Sequence, residues 1–199
     1  PTLRQALRIL ENERLVRIHR GRNGGARVSR PSVRTAGRHL NNLLLYQGAT
    51  LDDVHTARML LEPAAVARIA GTVSAEDIAA LRASVSANLA STEGAETRRI
   101  GSEFHIQLVE LTGNRSLVLF ARLISGLLDG ALARHDAERL KQRMPSQSSG
   151  LIDDHSRIID LIEAGASREA ARHWREHLEA VHRQLRKSIN TDLVLDIEP

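Results

Sequence analysis

The chain of 199 residues has no cysteine, and aromatic residues make up only 2% of it. Without cysteine, neither a disulfide bond nor a thiolate metal site is possible. No apolar run approaches the roughly 18 residues that span a bilayer, and no N-terminal signal pattern is recognisable. We therefore expect a cytoplasmic protein that has no membrane partner and whose core is packed from leucine, alanine, isoleucine and valine.

Acidic residues are scarce at the N-terminal end of the chain. Residues 1–38 contain ten arginines against two acidic residues, Glu11 and Glu13, which gives a net charge of 10 − 2 = +8. Because the whole chain carries +4, the remainder carries 4 − 8 = −4. A basic block on an acidic body is typical of a protein that binds a polyanion, most simply nucleic acid, and a solvated basic tail is the alternative.

The pattern of residues 1–28 favours a folded segment over a tail. Apolar residues recur at helical spacing up to Leu10 and then alternate with polar residues from Leu15 to His19. A glycine-rich stretch at residues 21–25 separates this strand from a second short strand at residues 26–28. Glycine permits the positive φ of a tight turn and its close approach to a phosphate backbone. The order helix, strand, glycine turn, strand predicts the second half of a winged helix.

The residues of this segment also resemble a known family. The stretch PTLRQALRILE at residues 1–11, followed by LV at 15–16 and GGARV at 24–28, resembles the recognition helix and wing of GntR-family transcription regulators. The resemblance implies that the start of the helix enters the major groove of DNA and that the wing lies along the minor groove. The family's first two helices do not precede Pro1, so we expect an N-terminally truncated member. The positions that match DNA contacts are Thr2, Arg4, Gly21, Gly24 and Gly25.

Residues 33–190 show helical periodicity and no strand of useful length. Successive apolar stripes are separated by Gly48, by the capping pair Ser74 and Asp77, and by Gly113. Helices that each bury one apolar stripe pack as a bundle. We therefore predict a mainly α protein: an antiparallel helical bundle over residues 33–190, preceded by a partial winged helix-turn-helix domain over residues 1–32 and followed by a tail over residues 191–199.

Three histidines, His105, His155 and His177, lie on apolar faces of different predicted helices. His155 and His177 are each 11 residues from Ala166, which lies in a predicted turn, so a helical hairpin would bring them level. Imidazole is the commonest protein ligand for ions such as zinc and nickel. A hydrogen-bonded core histidine is the alternative for any one of them, but three inward imidazoles favour a divalent metal, zinc or nickel.

The other histidines serve as a comparison. His173 lies one turn from His177 and is a candidate fourth ligand. The remaining histidines show no comparable arrangement in the sequence: His19, His39, His55, His135 and His182.

The residues around these histidines resemble a second domain. Phe104-His105 with TGN at residues 112–114, followed by His155 and His177, resembles the FCD domain, the ligand-binding domain of the FadR branch of GntR regulators. The resemblance covers roughly residues 50–185 and implies an all-helical bundle that binds a small carboxylate effector, often beside a metal ion. In the metal-binding members an aspartate lies one turn before the first histidine, at the position of Gly101 here.

Two further residues are candidate effector contacts. Arg58 matches an arginine of the first FCD helix, four residues before Glu62. The resemblance implies a guanidinium fork that grips the carboxylate of the effector, and the alternative is an ion pair on the helix surface. Asn114 is also a candidate contact, with a helix cap as the alternative.

These features predict a dimeric, effector-responsive transcription regulator in which a metabolite in the helical bundle changes the spacing of two DNA-binding heads. One alternative is a metalloenzyme that uses a three-histidine ion with an open coordination position. Another is a stand-alone metabolite-binding bundle. The sequence pairs no nucleophile with a base on a glycine turn, and the basic N-terminal segment has no role in an enzyme. We therefore predict that the protein is not an enzyme.

Overall fold

A helix and a hairpin form the basic N-terminal segment in the computed structural model of the chain, which describes residues 2–30, 32–91, 94–134 and 149–188. Helix α1 (Thr2–Asn12) packs against strand β1 (Val16–His19), which pairs antiparallel with strand β2 (Gly25–Val28). The order helix, strand, glycine turn, strand is therefore confirmed. The predicted tail, residues 191–199, lies outside the described residues.

The hairpin turn requires its glycines. Gly21 and Gly25 have φ angles of +109° and +131°, a region that side chains with a Cβ atom rarely adopt. A Cβ atom on Gly24 would overlap the carbonyl oxygen of His19. The turn can therefore present backbone at its tip, flanked by the exposed side chains of Arg20 and Arg22.

The rest of the described chain is a helical bundle, as predicted. Its helices are α2 (Val33–Tyr46), α3 (Leu51–Ile69), α4 (Ala75–Ala90), α5 (Gly94–Glu110), α6 (Arg115–Arg134), α7 (Ser149–Glu163) and α8 (Ser167–Ser188). Helix α3 lies at the centre, in contact with α5, α6 and α8, while α2 packs on α6 and α4 packs on α5 and α7. The last two helices pack against each other as a hairpin.

Capping residues set the starts of two central helices. The Thr50 hydroxyl accepts a hydrogen bond from the backbone N–H of Asp53, whose carboxylate accepts one from the Thr50 N–H in return. Ser74 and Asp77 form the same reciprocal box before α4. Each box satisfies N–H groups that the first helical turn leaves unpaired. Helix α3 is continuous through Pro63.

The core divides into layers along the bundle. The largest layer joins α3, α4, α5, α7 and α8 and encloses Phe104 and Trp174, which are 1% and 0% exposed. A second layer lies where the start of α3 and the end of α8 meet α2 and α6, and includes Leu51, Leu127 and Leu185. The first layer surrounds the predicted histidine site.

Close backbone contact fixes the turn between α7 and α8 against the end of α3. The Gly71 N–H donates to the Ile162 carbonyl over 2.9 Å. A Cβ atom on Gly71 would lie 3.2 Å from the Cα of Gly165, and both glycines have positive φ. A side chain on Gly71 would therefore require the α7–α8 turn to shift by a few tenths of an ångström, and the positive φ disfavours a larger residue at either position.

Helix α6 corrects the expectation that no apolar run approaches the length that spans a bilayer. Its segment Arg115–Ala133 has a mean hydropathy of 1.6 and is long and apolar enough to cross a membrane by length and composition alone. Here the helix packs against α2, α3 and α5 and buries Ala121, Leu127 and Leu128. A helix that packs on three neighbours in a bundle meets the same compositional criterion as a membrane span.

Candidate metal and effector site

The three predicted histidines come together in the core. His105 projects from α5, His155 from α7 and His177 from α8, and their side chains are buried. The Nε2 atoms of His155 and His177 are 3.2 Å apart, and one nitrogen from each of the three rings lies within 4.8 Å of the others. The equal spacing of His155 and His177 from Ala166 thus correctly predicted that the hairpin would bring them level.

Glu62 of α3 is the centre of the polar contacts around these rings. Its Oε1 accepts a hydrogen bond from Arg58 Nε at 2.7 Å. Its Oε2 accepts from His105 Nδ1 at 2.7 Å and from Trp174 Nε1 at 2.9 Å. One buried carboxylate therefore joins α3 to α5 and α8 and fixes the orientation of the His105 ring.

A second carboxylate orients His177. The Asp154 side chain accepts from His177 Nδ1 at 3.1 Å. Because a carboxylate accepts at both His105 Nδ1 and His177 Nδ1, the ring proton of each neutral imidazole lies on Nδ1 and the lone pair on Nε2. Both lone pairs are then available to a shared ligand.

Burial keeps all three rings neutral at pH 7. Burial lowers the pKa of His105 to about 3, with the Arg58 charge acting in the same direction and Glu62 opposing both. Burial also lowers the pKa of His155 well below its ordinary value, and it lowers the pKa of His177 despite the opposing Asp154 carboxylate. Neutral imidazoles are the form that binds metal ions.

Glu62, in contrast, is ionised. Burial is the largest single effect and raises the pKa of the Glu62 carboxyl group, but the Arg58 charge, the contact with His105 and the hydrogen bonds from both side chains together hold that pKa at about 2. Since His105 is neutral at pH 7, Arg58 supplies the compensating charge. The site therefore contains a buried ion pair, Arg58 with Glu62, beside three uncharged rings.

The donor set fits a divalent ion of the zinc or nickel type. Two nitrogens on a tetrahedral ion with bonds of about 2.0–2.1 Å are about 3.4 Å apart, which is close to the 3.2 Å between His155 and His177. Carboxylates on the outer ring nitrogens are the usual second layer of such a site. His173 is not part of the group, because its Nε2 donates to the Asp154 carbonyl oxygen at 3.0 Å.

Arg58 is not the surface residue that the alternative interpretation proposed. It is 8% exposed, and its Nε is bonded to the 5% exposed Glu62. Within the described part of the chain its hydrogen bond is made by Nε, which leaves the two terminal nitrogens for another acceptor. The surface ion-pair alternative is therefore wrong, and the fork for an effector carboxylate stays a prediction.

Asn114 occupies a helix cap. Its Oδ1 accepts from the backbone N–H groups of Ser116 and Leu117 at 3.0 and 3.2 Å, and the residue is exposed. The capping alternative is confirmed. A contact between Asn114 and an effector stays a prediction.

The predicted DNA-contacting residues lie at two exposed places. Thr2 and Arg4 are in the first turn of α1, and Gly21, Gly24 and Gly25 are in the hairpin turn. Their contact with DNA stays a prediction.

The fold brings several residues into the polar core that the sequence pattern did not single out. Glu62, Asp154 and Trp174 contact the site histidines, although none was a candidate. His55 and His182 do not belong to this group of potential metal ligands, but they are paired in the core. Their rings stack with centroids 4.4 Å apart, and His55 is 1% exposed.

Solved structures of similar fold include two bacterial regulators. A transcriptional regulator of the GntR family from Pseudomonas syringae pv. tomato matches with a TM-score of 0.57 and 21% identity, over 93% of this chain and 69% of that one. A Streptococcus agalactiae GntR matches with a TM-score of 0.64 and 20% identity, over 92% of this chain and 80% of that one. No curated protein matches the chain. The model of the FCD domain matches residues 53–180, which is more than half of the chain, and the protein therefore belongs to the FCD domain family.

Proposed function

We propose that the protein is an effector-responsive, DNA-binding transcription regulator of the FadR branch of GntR regulators, cytoplasmic and homodimeric. The observation that carries this proposal is the buried Arg58–Glu62 ion pair beside three neutral histidines in an FCD bundle. A cation with two terminal nitrogens to spare, deep in a helical core, is suited to bind a small anion. The basic helix and hairpin at the N-terminal end provide a surface suited to DNA.

The effector is a small carboxylate. Arg58 would bind it through the terminal nitrogens of its planar guanidinium, while Glu62 holds the Nε edge in place. His105, His155 and His177 would hold a zinc or nickel ion, and the bound ion would supply additional positive charge that attracts the carboxylate. The chain's own contribution is to keep the three rings neutral and oriented.

An apolar groove supports the homodimer. It has a volume of about 540 Å³ between α3 and α6 and is lined by Leu60, Leu61, Leu117, neighbouring alanines and Arg68. Leu60 is 69% exposed, and Phe120 of α6 is 52% exposed. Exposed apolar patches of this kind mark protein interfaces. We expect a second copy of the chain to cover the groove. Leu60→Glu should then shift the protein from dimer toward monomer, as measured by size-exclusion chromatography with light scattering. An unchanged molecular mass would exclude this interface.

The metalloenzyme alternative is not supported by the polar contacts. Near the three histidines, the described carboxylates Glu62 and Asp154 both accept hydrogen bonds from ring N–H groups. Each therefore orients a ring rather than standing free as a general base. The FCD family membership also favours an effector-binding domain over a catalytic one.

A thermal-shift screen of small organic acids, with and without zinc or nickel, tests the proposed function. A ligand at 100 times its dissociation constant stabilises the folded state by about 2.7 kcal/mol. Arg58→Lys keeps the charge but loses the planar fork, so it should lose most of the acid-induced shift while remaining folded. Arg172→Lys, at an exposed position of α8, serves as the matched control. Equal shifts in wild type and Arg58→Lys would exclude Arg58 as the anchor.

A further inference from the structure

His55 of α3 is a buried side chain with unsatisfied hydrogen-bonding groups. It is 1% exposed, and neither ring nitrogen has a hydrogen-bond partner. Among the described residues, one other buried side-chain atom is in this situation, Oδ1 of Asn41. One face of the His55 ring stacks on His182, with centroids 4.4 Å apart and an interplanar angle of 11°. His182 in turn is bonded to Asp52, so it offers His55 a ring face rather than a hydrogen bond.

Two unpaired buried nitrogens are costly to the fold and rare in native proteins. Burial, with the nearby charges of Arg58 and His182 in support and that of Glu62 opposed, lowers the pKa of His55 to about 4. The ring is therefore neutral at pH 7, with one N–H donor and one acceptor nitrogen. A group that both donates and accepts a hydrogen bond, such as a hydroxyl, would match either nitrogen.

The position of His55 relates it to the anion site. Residues 55, 58 and 62 follow one another along the same face of α3. Helix α8 runs along this face in the opposite direction, with His182 beside His55 and Trp174 beside Glu62. His55 therefore lies one helical turn beyond Arg58, on the side away from Glu62.

We propose that His55 binds a hydroxyl group of the effector whose carboxylate is held at Arg58, so that the effector is a hydroxy acid. This inference rests on the proposed function. Three residues of α-helix rise about 4.5 Å between Cα atoms, and Arg58 turns its Nε toward Glu62, away from His55. A hydroxyl at His55 must therefore lie several carbons from a carboxylate at Arg58. The effector is thus an acid whose hydroxyl lies several carbons from the carboxylate, rather than directly beside it.

A hydroxyl scan along a constant carbon chain tests this inference. The probes are butyrate and its 2-, 3- and 4-hydroxy derivatives, titrated calorimetrically into zinc-loaded and metal-free wild type, His55→Phe and the control His39→Phe, whose histidine is exposed. Wild type and the control should bind 4-hydroxybutyrate about threefold to tenfold more tightly than butyrate, as one neutral hydrogen bond allows. His55→Phe should abolish that ratio. The 2-hydroxyl remains beside Arg58, so its ratio to butyrate should not change.

The outcomes separate the inference from the proposed function. If none of these four acids binds wild type, the inference is wrong, and the thermal-shift screen of other organic acids decides the proposed function. Suppose that acids bind wild type and that Arg58→Lys abolishes this binding. If the preference for the 4-hydroxyl is then missing in wild type, or survives in His55→Phe, only the inference is wrong. In that case a buried water is the partner of His55. Should His55→Phe not fold, the ring ¹⁵N resonances of His55 in wild type decide. They should shift with 4-hydroxybutyrate and not with butyrate, and equal spectra would overturn the inference.

Discussion

Removing the charge of Glu62 should strongly destabilise the protein. The carboxylate accepts hydrogen bonds from three donors on three side chains, Arg58, His105 and Trp174. Glu62→Gln keeps the size of the side chain but replaces one oxygen with an NH₂ group that cannot accept. At least one buried donor then loses its partner, and the Arg58 cation loses its counter-charge. Breaking a buried ion pair from one side costs about 3–5 kcal/mol.

An exposed ion pair provides the control for the predicted loss of stability. Arg82 and Glu163 are joined at 2.7 Å, but their side chains are 46% and 55% exposed. Exposed pairs contribute about 0–1 kcal/mol because water solvates and screens both charges. Glu163→Gln is therefore the same chemical change in a solvated setting. Urea unfolding followed by circular dichroism should give a loss of several kcal/mol for Glu62→Gln and less than about 1 kcal/mol for Glu163→Gln.

A double variant separates lost attraction from an uncompensated charge. If the cost arises because Arg58 is left as a buried unpaired cation, then Arg58→Met combined with Glu62→Gln should be more stable than Glu62→Gln alone. A loss below about 1 kcal/mol for Glu62→Gln, or a double variant that is no more stable than the single one, would refute the reasoning from burial.

Three further predictions concern the metal, the pH dependence and DNA. His155→Ala should lower the uptake of zinc or nickel, measured by metal titration with elemental analysis, and Gly101→Asp should raise it. If wild type takes up neither ion, even with carboxylates present, the three histidines are core residues and not metal ligands. The pKa of His55 is about 4 in the folded state against about 6.5 unfolded, so the unfolded chain binds the proton more readily. The contribution of His55 to the free energy of unfolding should therefore be highest above pH 6.5 and should fall by about 3 kcal/mol between pH 6.5 and 4. In His55→Phe the free energy of unfolding should not show this fall of about 3 kcal/mol. In a chain that carries the full DNA-binding domain, Arg4→Ala should weaken operator binding by about 1–3 kcal/mol in a gel-shift titration, and unchanged affinity would exclude the contact.

The sequence predicted those features that depend on residues close together along the chain. The capping boxes at Thr50 and Ser74 satisfy N–H groups within one helical turn, so their signal is complete in four residues. The hairpin of α7 and α8 is nearly as local, because a short turn makes residues equidistant from Ala166 neighbours across the helix pair. The 3.2 Å contact of His155 with His177 follows from that geometry.

The role of Glu62 could not be predicted in the same way. An arginine four residues before a glutamate gives the same sequence pattern on a solvated face and in a core. The buried pair differs from a solvated one because α3 contacts α5, α6 and α8 and therefore buries side chains around much of its circumference. Periodicity identifies one apolar face, but it does not identify which polar side chains a centrally placed helix also buries. The burial of Glu62 and His55 depends on partners more than 40 residues away, among them His105 and Trp174.

The charges of the site indicate how metal and effector should influence each other. Arg58 and Glu62 cancel, and the three imidazoles are neutral, but the Asp154 carboxylate bonded to His177 adds one negative charge. An ion held by His105, His155 and His177 would therefore keep 2 − 1 = 1+ of its charge uncompensated. A carboxylate bound beside it would be attracted by that charge, and by linkage each would strengthen the binding of the other by the same factor. An aspartate at position 101 would supply a permanent negative charge and so reduce what the effector adds. Glycine at that position would therefore make the affinity for metal depend more on the anion, which would let one site respond to both together.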